Sequence, residues 1–189
     1  MKSRRKISLP IVVAAAAQTV VLGWMIAERV TLLAHGREVV LPVVPVDPRS
    51  LFRGDYVNLT YEVTRLPGHL IEGKLDKGQK IYVTLKKEED GNYQPVAATR
   101  TYPNVTASDH VVLLGRVQYD ARNNSGSGNV FVRYGIESYF VPEGKGPELE
   151  KLARDQKLAV VLAVDGKGHA AIKGLVMNGE LVYEEPLIW

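Results

Sequence analysis

The chain of 189 residues has no cysteine, which excludes a disulfide framework and thiol chemistry and leaves any folded part to rest on its own core. Aromatic residues are few, with three Phe and two Trp beside nine Tyr. No Lys/Arg tract is interleaved with them, so a platform for nucleic acid is lacking. The four histidines, His35, His69, His110 and His169, have none of the short spacings of a metal site; no metal or other cofactor is expected, and each reads as a surface histidine or one satisfied within a strand. No Gly-x-Ser-x-Gly elbow occurs. Charge is missing altogether between Ile7 and Ala27, and this last absence is the most informative.

At about 1.5 Å per helical residue, that run is long enough to cross about 30 Å of hydrocarbon. Lys2, Arg4, Arg5 and Lys6 precede it, against Arg29 and Arg37 just after it. The charge bias predicts a cytoplasmic N-terminus, with everything beyond Ala27 across the inner (plasma) membrane. A cleaved signal peptide is the rival, with Ala14 to Ala17 before Gln18 as the small-residue site; its apolar core would be only Ile7 to Val13, interrupted by Ser8 and Pro10. Apolar character continues to Ile26, which favours an uncleaved anchor. Ser3-Arg4-Arg5-Lys6-Ile7 matches a twin-arginine signal only in part. Ala14, Gln18 and Gly23 offer small and hydrogen-bonding groups for a contact face within the membrane. The helix is predicted to continue from Glu28 to His35 and to stop at Gly36 as a C′ glycine.

Residues 1–36 thus form a basic tip and anchor, and residues 37–189 one extracytoplasmic domain. The formal net charge of +3 belongs to the tip: residues 1–29 hold five of the 24 Lys and Arg and one of the 21 acids, leaving 19 positive and 20 negative charges beyond. A nearly neutral domain without a basic tract is not expected to bind nucleic acid.

Beyond the anchor the hydrophobic period is mostly two. Tyr56 to Val63 alternates, with Val57, Leu59, Tyr61 and Val63 on one side. Further strands are predicted over Glu38–Val44, Lys80–Lys86, Tyr93–Thr101, His110–Tyr119, Val130–Tyr134, Leu158–Val164, His169–Met177 and Leu181–Glu184. Turn signals at Asp90-Gly91-Asn92, Asp165-Gly166 and Asn178-Gly179 separate some of them. Short punctuated strands imply a mainly β fold, an antiparallel sandwich or partly open barrel, preceded by the single transmembrane helix. One short helix is predicted from Pro147 to about Gln156, with Leu149, Leu152 and Ala153 on the sheet. Asn123 to Asn129 reads as a polar loop.

Two dense blocks stand out. The first is Pro45-Val46-Asp47-Pro48-Arg49-Ser50-Leu51-Phe52-Arg53-Gly54-Asp55-Tyr56-Val57-Asn58-Leu59-Thr60-Tyr61; the second runs from Tyr134-Gly135-Ile136-Glu137-Ser138-Tyr139-Phe140 to Gly146. Gly54-Asp55-Tyr56, Leu59 and Tyr61 carry a resemblance to the GDYXXLXY family of bacterial membrane-anchored proteins, and the second block matches as well. The resemblance implies a location and a multi-pass membrane neighbour, and it names no reaction.

Read for chemistry, the blocks allow two accounts. Structurally, Pro48 extends Asp47, Gly54 permits a turn and Asp55 bonds backbone amides on the way into a strand. Functionally, Arg49, Arg53, Asp55, Tyr56 and Glu137 would gather at a groove, where Arg forks hold a carboxylate or phosphate, with Asp47, Tyr134 and Tyr139 as further candidate binding or motif residues. Glu137 is expected to pair with Arg53 or Arg133. Pro142 to Gly146 lacks phosphate-loop spacing and reads as a loop leading to the helix at Pro147. Arg53-Gly54-Asp55 spells an adhesion tripeptide, and three glycosylation sequons occur in form; neither is expected to be used. The function expected is an accessory or interaction domain of a membrane complex. The alternatives are a Ser/Lys hydrolase built on Ser50 with Lys80 or Lys74, and a binder of a small anionic ligand or polysaccharide.

Overall fold

The computed structural model describes residues 9–44, 56–89, 91–105, 107–123, 127–140, 158–177 and 179–184. Leu9–His35 is one continuous helix, α1. Its most apolar eighteen-residue window has a mean hydropathy of 2.0, and none of that window is buried, as a single membrane span requires. Twenty-seven residues rise about 40 Å, more than the roughly 30 Å of hydrocarbon, so the turns from Glu28 to His35 extend past the apolar run as a stalk.

Gly36 alone separates α1 from the first strand. Its N–H donates to Leu32 O at 2.8 Å, which ends the helix where the sequence predicts. The reason differs from the predicted one, because Gly36 does not take a left-handed φ. A Cβ there would stand 2.5 Å from Leu32 O and 2.9 Å from both Ala163 Cβ and Val164 N, so glycine is needed for close approach of helix end and sheet. Leu33 is buried on Ala163 and Ala171, with Leu32 beside it. Small side chains on the outer face of the sheet let the stalk sit close.

Among the described residues twelve strands follow: β1 (Arg37–Val44), β2 (Tyr56–Asn58), β3 (Thr60–Tyr61), β4 (Arg65–Pro67), β5 (Lys80–Lys87), β6 (Tyr93–Thr99), β7 (His110–Asp120), β8 (Asn129–Arg133), β9 (Ser138–Phe140), β10 (Leu158–Val164), β11 (Ala170–Met177) and β12 (Glu180–Glu184). They make two five-stranded sheets, ordered β12-β11-β10-β1-β3 and β4-β8-β7-β5-β6, and a β2–β9 ribbon. The fold is mainly β and antiparallel, a nearly closed barrel. Alternation places Val39, Leu41 and Val43 of β1, Leu158, Val160 and Leu162 of β10, and Ile81, Val83 and Leu85 of β5 in one shared core. Two fastenings join the sheets near the stalk. Leu114 N–H of β7 donates to Gly168 O in the β10–β11 hairpin at 2.7 Å. The Arg37 guanidinium donates to the carbonyls of Ser108 and His110, the latter at 2.7 Å.

The predicted strand over Tyr56 to Val63 needs correction. The inward alternation holds at Leu59, Tyr61 and Val63, but the chain changes partner twice. β2 pairs with β9, β3 pairs with the end of β1, and Glu62–Thr64 then closes a 3-10 turn, with Thr64 Oγ1 donating to Tyr61 O at 2.6 Å. Periodicity reports which face is buried and does not report which strand lies alongside. β4 and β9, each of three residues, are too short for a period to register. The helix predicted from Pro147 to Gln156, the loop before it, and Asp90 and Asn178 of the turn signals lie outside the described residues.

Candidate functional site at the junction of motif blocks and stalk

The structure joins the two sequence blocks. Tyr56, Val57 and Asn58 pair with Phe140, Tyr139 and Ser138. Leu59 N–H donates to Glu137 O at 2.8 Å. Tyr61 OH donates to Ile136 O at 2.9 Å, and Tyr134 OH to Val63 O at 2.8 Å. Leu59, Tyr61, Tyr134 and Tyr139 are all buried, Tyr61 at 1% exposure. Burial, and secondly the Glu137 carboxylate nearby, pushes the Tyr61 and Tyr134 phenols well up, so both remain neutral donors at physiological pH. Tyr139 meets Tyr183 edge to face, with centroids 5.9 Å apart. These tyrosines weld one block to the other across the core.

Glu137 has a local task. Its carboxylate accepts from Tyr134 N–H at 2.5 Å and Gly135 N–H at 2.9 Å. Gly135 sits at φ +83°, where a side chain would strain the turn. Arg133 Nε approaches Glu137 at 3.6 Å from an exposed position, one of the two partners expected from sequence. Arg133 and Glu137 both line a groove of about 360 Å³, together with Thr60, Gln118 and Ser138 among others. Asp47, Arg49, Ser50, Arg53, Gly54 and Asp55 lie outside the described residues, and Tyr56 is described through its backbone alone. Lys80 and Lys74 are exposed, Lys80 opposite Arg116 at the start of β5.

The second block also meets the stalk. Arg29 lines a recess of about 140 Å³ with Gly135, Ile136, Ser138, Tyr139, Ala171 and Ile172. On its other side Arg29 borders a larger, mainly apolar cleft of about 1000 Å³ between the stalk and the β10–β11 hairpin, where Trp24, Met25, Leu32, Val164 and His169 also stand. Trp24 and Met25 belong to the exposed apolar run, so the cleft opens where that run ends. Among the described residues Arg29 has no ion-pair partner. The hairpin wall is rigid: Asp165 Oδ1 accepts from Lys167 N–H and His169 N–H at 2.8 Å, and Oδ2 meets His169 Nδ1 at 2.9 Å. Desolvation opposes ionisation of Asp165, but the His169 ring and these N–H groups outweigh it and lower its pKa. The remaining histidines are ordinary: His110 bonds Asp109 at 2.8 Å, and His35 and His69 are exposed. Among the described residues no His, Cys, Asp and Glu cluster suits a metal.

The sequence does not announce this cleft, because Arg29 counts there only as a topology charge and Gly36 only as a helix stop. The available signal was Gly36 between helix and strand with no linker. The junction rests on that glycine. Gly36→Val is expected to separate the stalk from β10, with a loss of roughly 1–3 kcal/mol. Thermal unfolding of the full chain in detergent measures the loss, and new protease cleavage near residue 36 reports the separation.

The family model described as GDYXXLXY protein matches residues 18–175, most of the chain, and the chain belongs to that family. No curated protein and no solved structure matches it.

Proposed function

We propose that this GDYXXLXY protein is a single-pass, N-in anchored accessory module of the inner membrane, whose β domain stands on the extracytoplasmic side and docks a multi-pass membrane protein. The observation that carries the reading is the fixed junction between anchor and domain. An exposed apolar helix leads through one glycine into a strand, and Leu33 in its last turn is buried on the sheet with Leu32 beside it. A flexible tether would only raise the local concentration of the domain, whereas a rigid stalk also sets its orientation over the membrane. The cleft beside the stalk is bounded by Trp24 and Met25 as well as by the hairpin, so a partner filling it must itself lie in the membrane. The family resemblance supports the same kind of neighbour.

Topology is the first test, and the absence of cysteine makes it clean. A Cys placed at Lys167, on the exposed hairpin, is expected to react with a membrane-impermeant maleimide in intact spheroplasts. A Cys placed at Ser3 is expected to react only after lysis. The reverse pattern, or a mature chain beginning near Gln18, removes the anchored reading. A Ser50-based hydrolase makes an opposite forecast, since it would lose turnover in Ser50→Ala with its stability intact; here that substitution is expected to be silent.

A further inference from the structure

A second concave site lies about 20 Å further along β7 from the stalk fastening at Leu114, at about 3.3 Å per strand residue. It is a pocket of about 900 Å³ between the 71–78 loop and the end of β7, lined by His69, Lys74, Lys77, Gln118 and Tyr119 over a floor of Asp120 and Arg122.

The floor is built. Arg122 Nη2 and Nε hold both Asp120 carboxylate oxygens, at 2.7 and 2.9 Å, and the same guanidinium donates to Ile71 O at 3.0 Å and Gly73 O at 2.7 Å. Leu75 N–H completes Asp120 at 3.3 Å. Arg100 holds Lys74 O at 2.8 Å, and Arg116 holds Gly78 O at 3.3 Å. Three arginines therefore fasten the carbonyls of one loop, whose own Lys74 and Lys77 have no acid partner among the described residues. Asp120 is neutralised by Arg122, so the lining carries an excess of positive charge. Glu72 and Asp76 are exposed on the same loop outside the lining.

The rim is equally specific. The β7–β8 register shifts between Val117 and Tyr119, so Gln118 is an extra residue, and such bulges re-aim side chains. Gln118 and Tyr119 are consecutively exposed at the mouth as a result. The Tyr119 ring, 63% exposed, leans on Phe131 at 6.2 Å between centroids, with Arg65 over Phe131 at 5.5 Å. A supported aromatic with an open side, an amide beside it and cations behind it make a surface for a sugar ring bearing an acid group.

We propose that this pocket binds an acidic, carboxylate-bearing glycan, with Lys74 and Lys77 on the carboxylate, Gln118 on ring hydroxyls and Tyr119 against the apolar face of a sugar. The site is independent of the stalk cleft. Calorimetric titration of the full chain in detergent tests it, using a galacturonic acid trimer, its uncharged methyl ester, inorganic phosphate and an acidic peptide as probes. The trimer is expected to bind in preference to the other three. Joint Lys74→Gln and Lys77→Gln substitution is expected to weaken it about tenfold or more, as loss of charge-assisted bonds does. Tyr119→Ala is expected to weaken it too, while Tyr119→Phe retains it. These side chains are exposed, and an unchanged melting temperature of each variant would establish that the fold is intact. No binding of the trimer, equal binding of the ester, or indifference to the lysine substitutions overturns the site. Equal or tighter binding of phosphate or of the acidic peptide overturns its assignment to a glycan.

Discussion

Tyr61→Ala and Tyr134→Ala are each expected to destabilise the domain by roughly 3–5 kcal/mol, the range for removing a buried aromatic ring. Each ring fills the core; the Tyr61 hydroxyl ties the first block to Ile136 O of the second, and the Tyr134 hydroxyl ties the second block to Val63 O, two residues past the first. The phenylalanine variants keep the ring and leave a buried carbonyl without its donor, a loss of about 1–3 kcal/mol. Urea unfolding of the four variants measures this order. If both alanine variants lost less than their phenylalanine counterparts, the tyrosines would not be the weld described here.

A close second is the Asp120–Arg122 pair under the distal pocket. Its side chains are 14% and 9% exposed, so screening by water is limited. Arg122→Met leaves the Asp120 carboxylate in place without its partner and frees the carbonyls of Ile71 and Gly73; the expected loss is about 3 kcal/mol. Joint Asp120→Leu and Arg122→Met substitution is expected to recover part of it. Acid titration offers an independent check. The Arg122 side chain, with the N–H groups of Arg122 and Leu75 supporting it, lowers Asp120 from 3.8 to about 2. A carboxylate with a depressed folded pKa contributes fully above its unfolded value, and the contribution fades as pH falls through the folded one. Stability should therefore drop between about pH 4 and pH 2 through this group, and Asp120→Asn should remove that part of the drop. A pH profile unchanged by Asp120→Asn would contradict the pairing.

The sequence made the burial pattern legible and the connectivity only in part. Leu59, Tyr61 and Val63 face inward as alternation requires, and β10 begins and ends at Leu158 and Val164 as predicted, because a fully apolar run bounded by a polar turn leaves little choice. Partner exchange at Asn58 to Thr60 was not legible, since it depends on residues about eighty positions away in β9. Of the two partners that the sequence offers Glu137, Arg133 approaches it and Arg53 lies outside the described residues; the described link between the blocks is made of tyrosine hydroxyls and backbone ladder. Glu137 spends its carboxylate on the Tyr134–Gly135 turn and on Arg133. The stalk cleft and the distal pocket escaped sequence reading for one reason. Each is assembled from separated segments, Arg29 with the 164–169 hairpin in one case and Lys74 with the Gln118 bulge in the other, and no local period marks such a meeting.

The central claim is that the fixed stalk presents the domain to a partner within the membrane. A photoreactive amino acid at Thr31, which lines the stalk cleft, tests it most directly when the full chain is irradiated in its native membrane. The expected product is an adduct with one multi-pass membrane protein, strongly reduced by Gly36→Val, which displaces the stalk, and by Arg29→Glu, which reverses the charge between the cleft and the second block. Adducts with lipid alone, or a protein adduct indifferent to both substitutions, would contradict it.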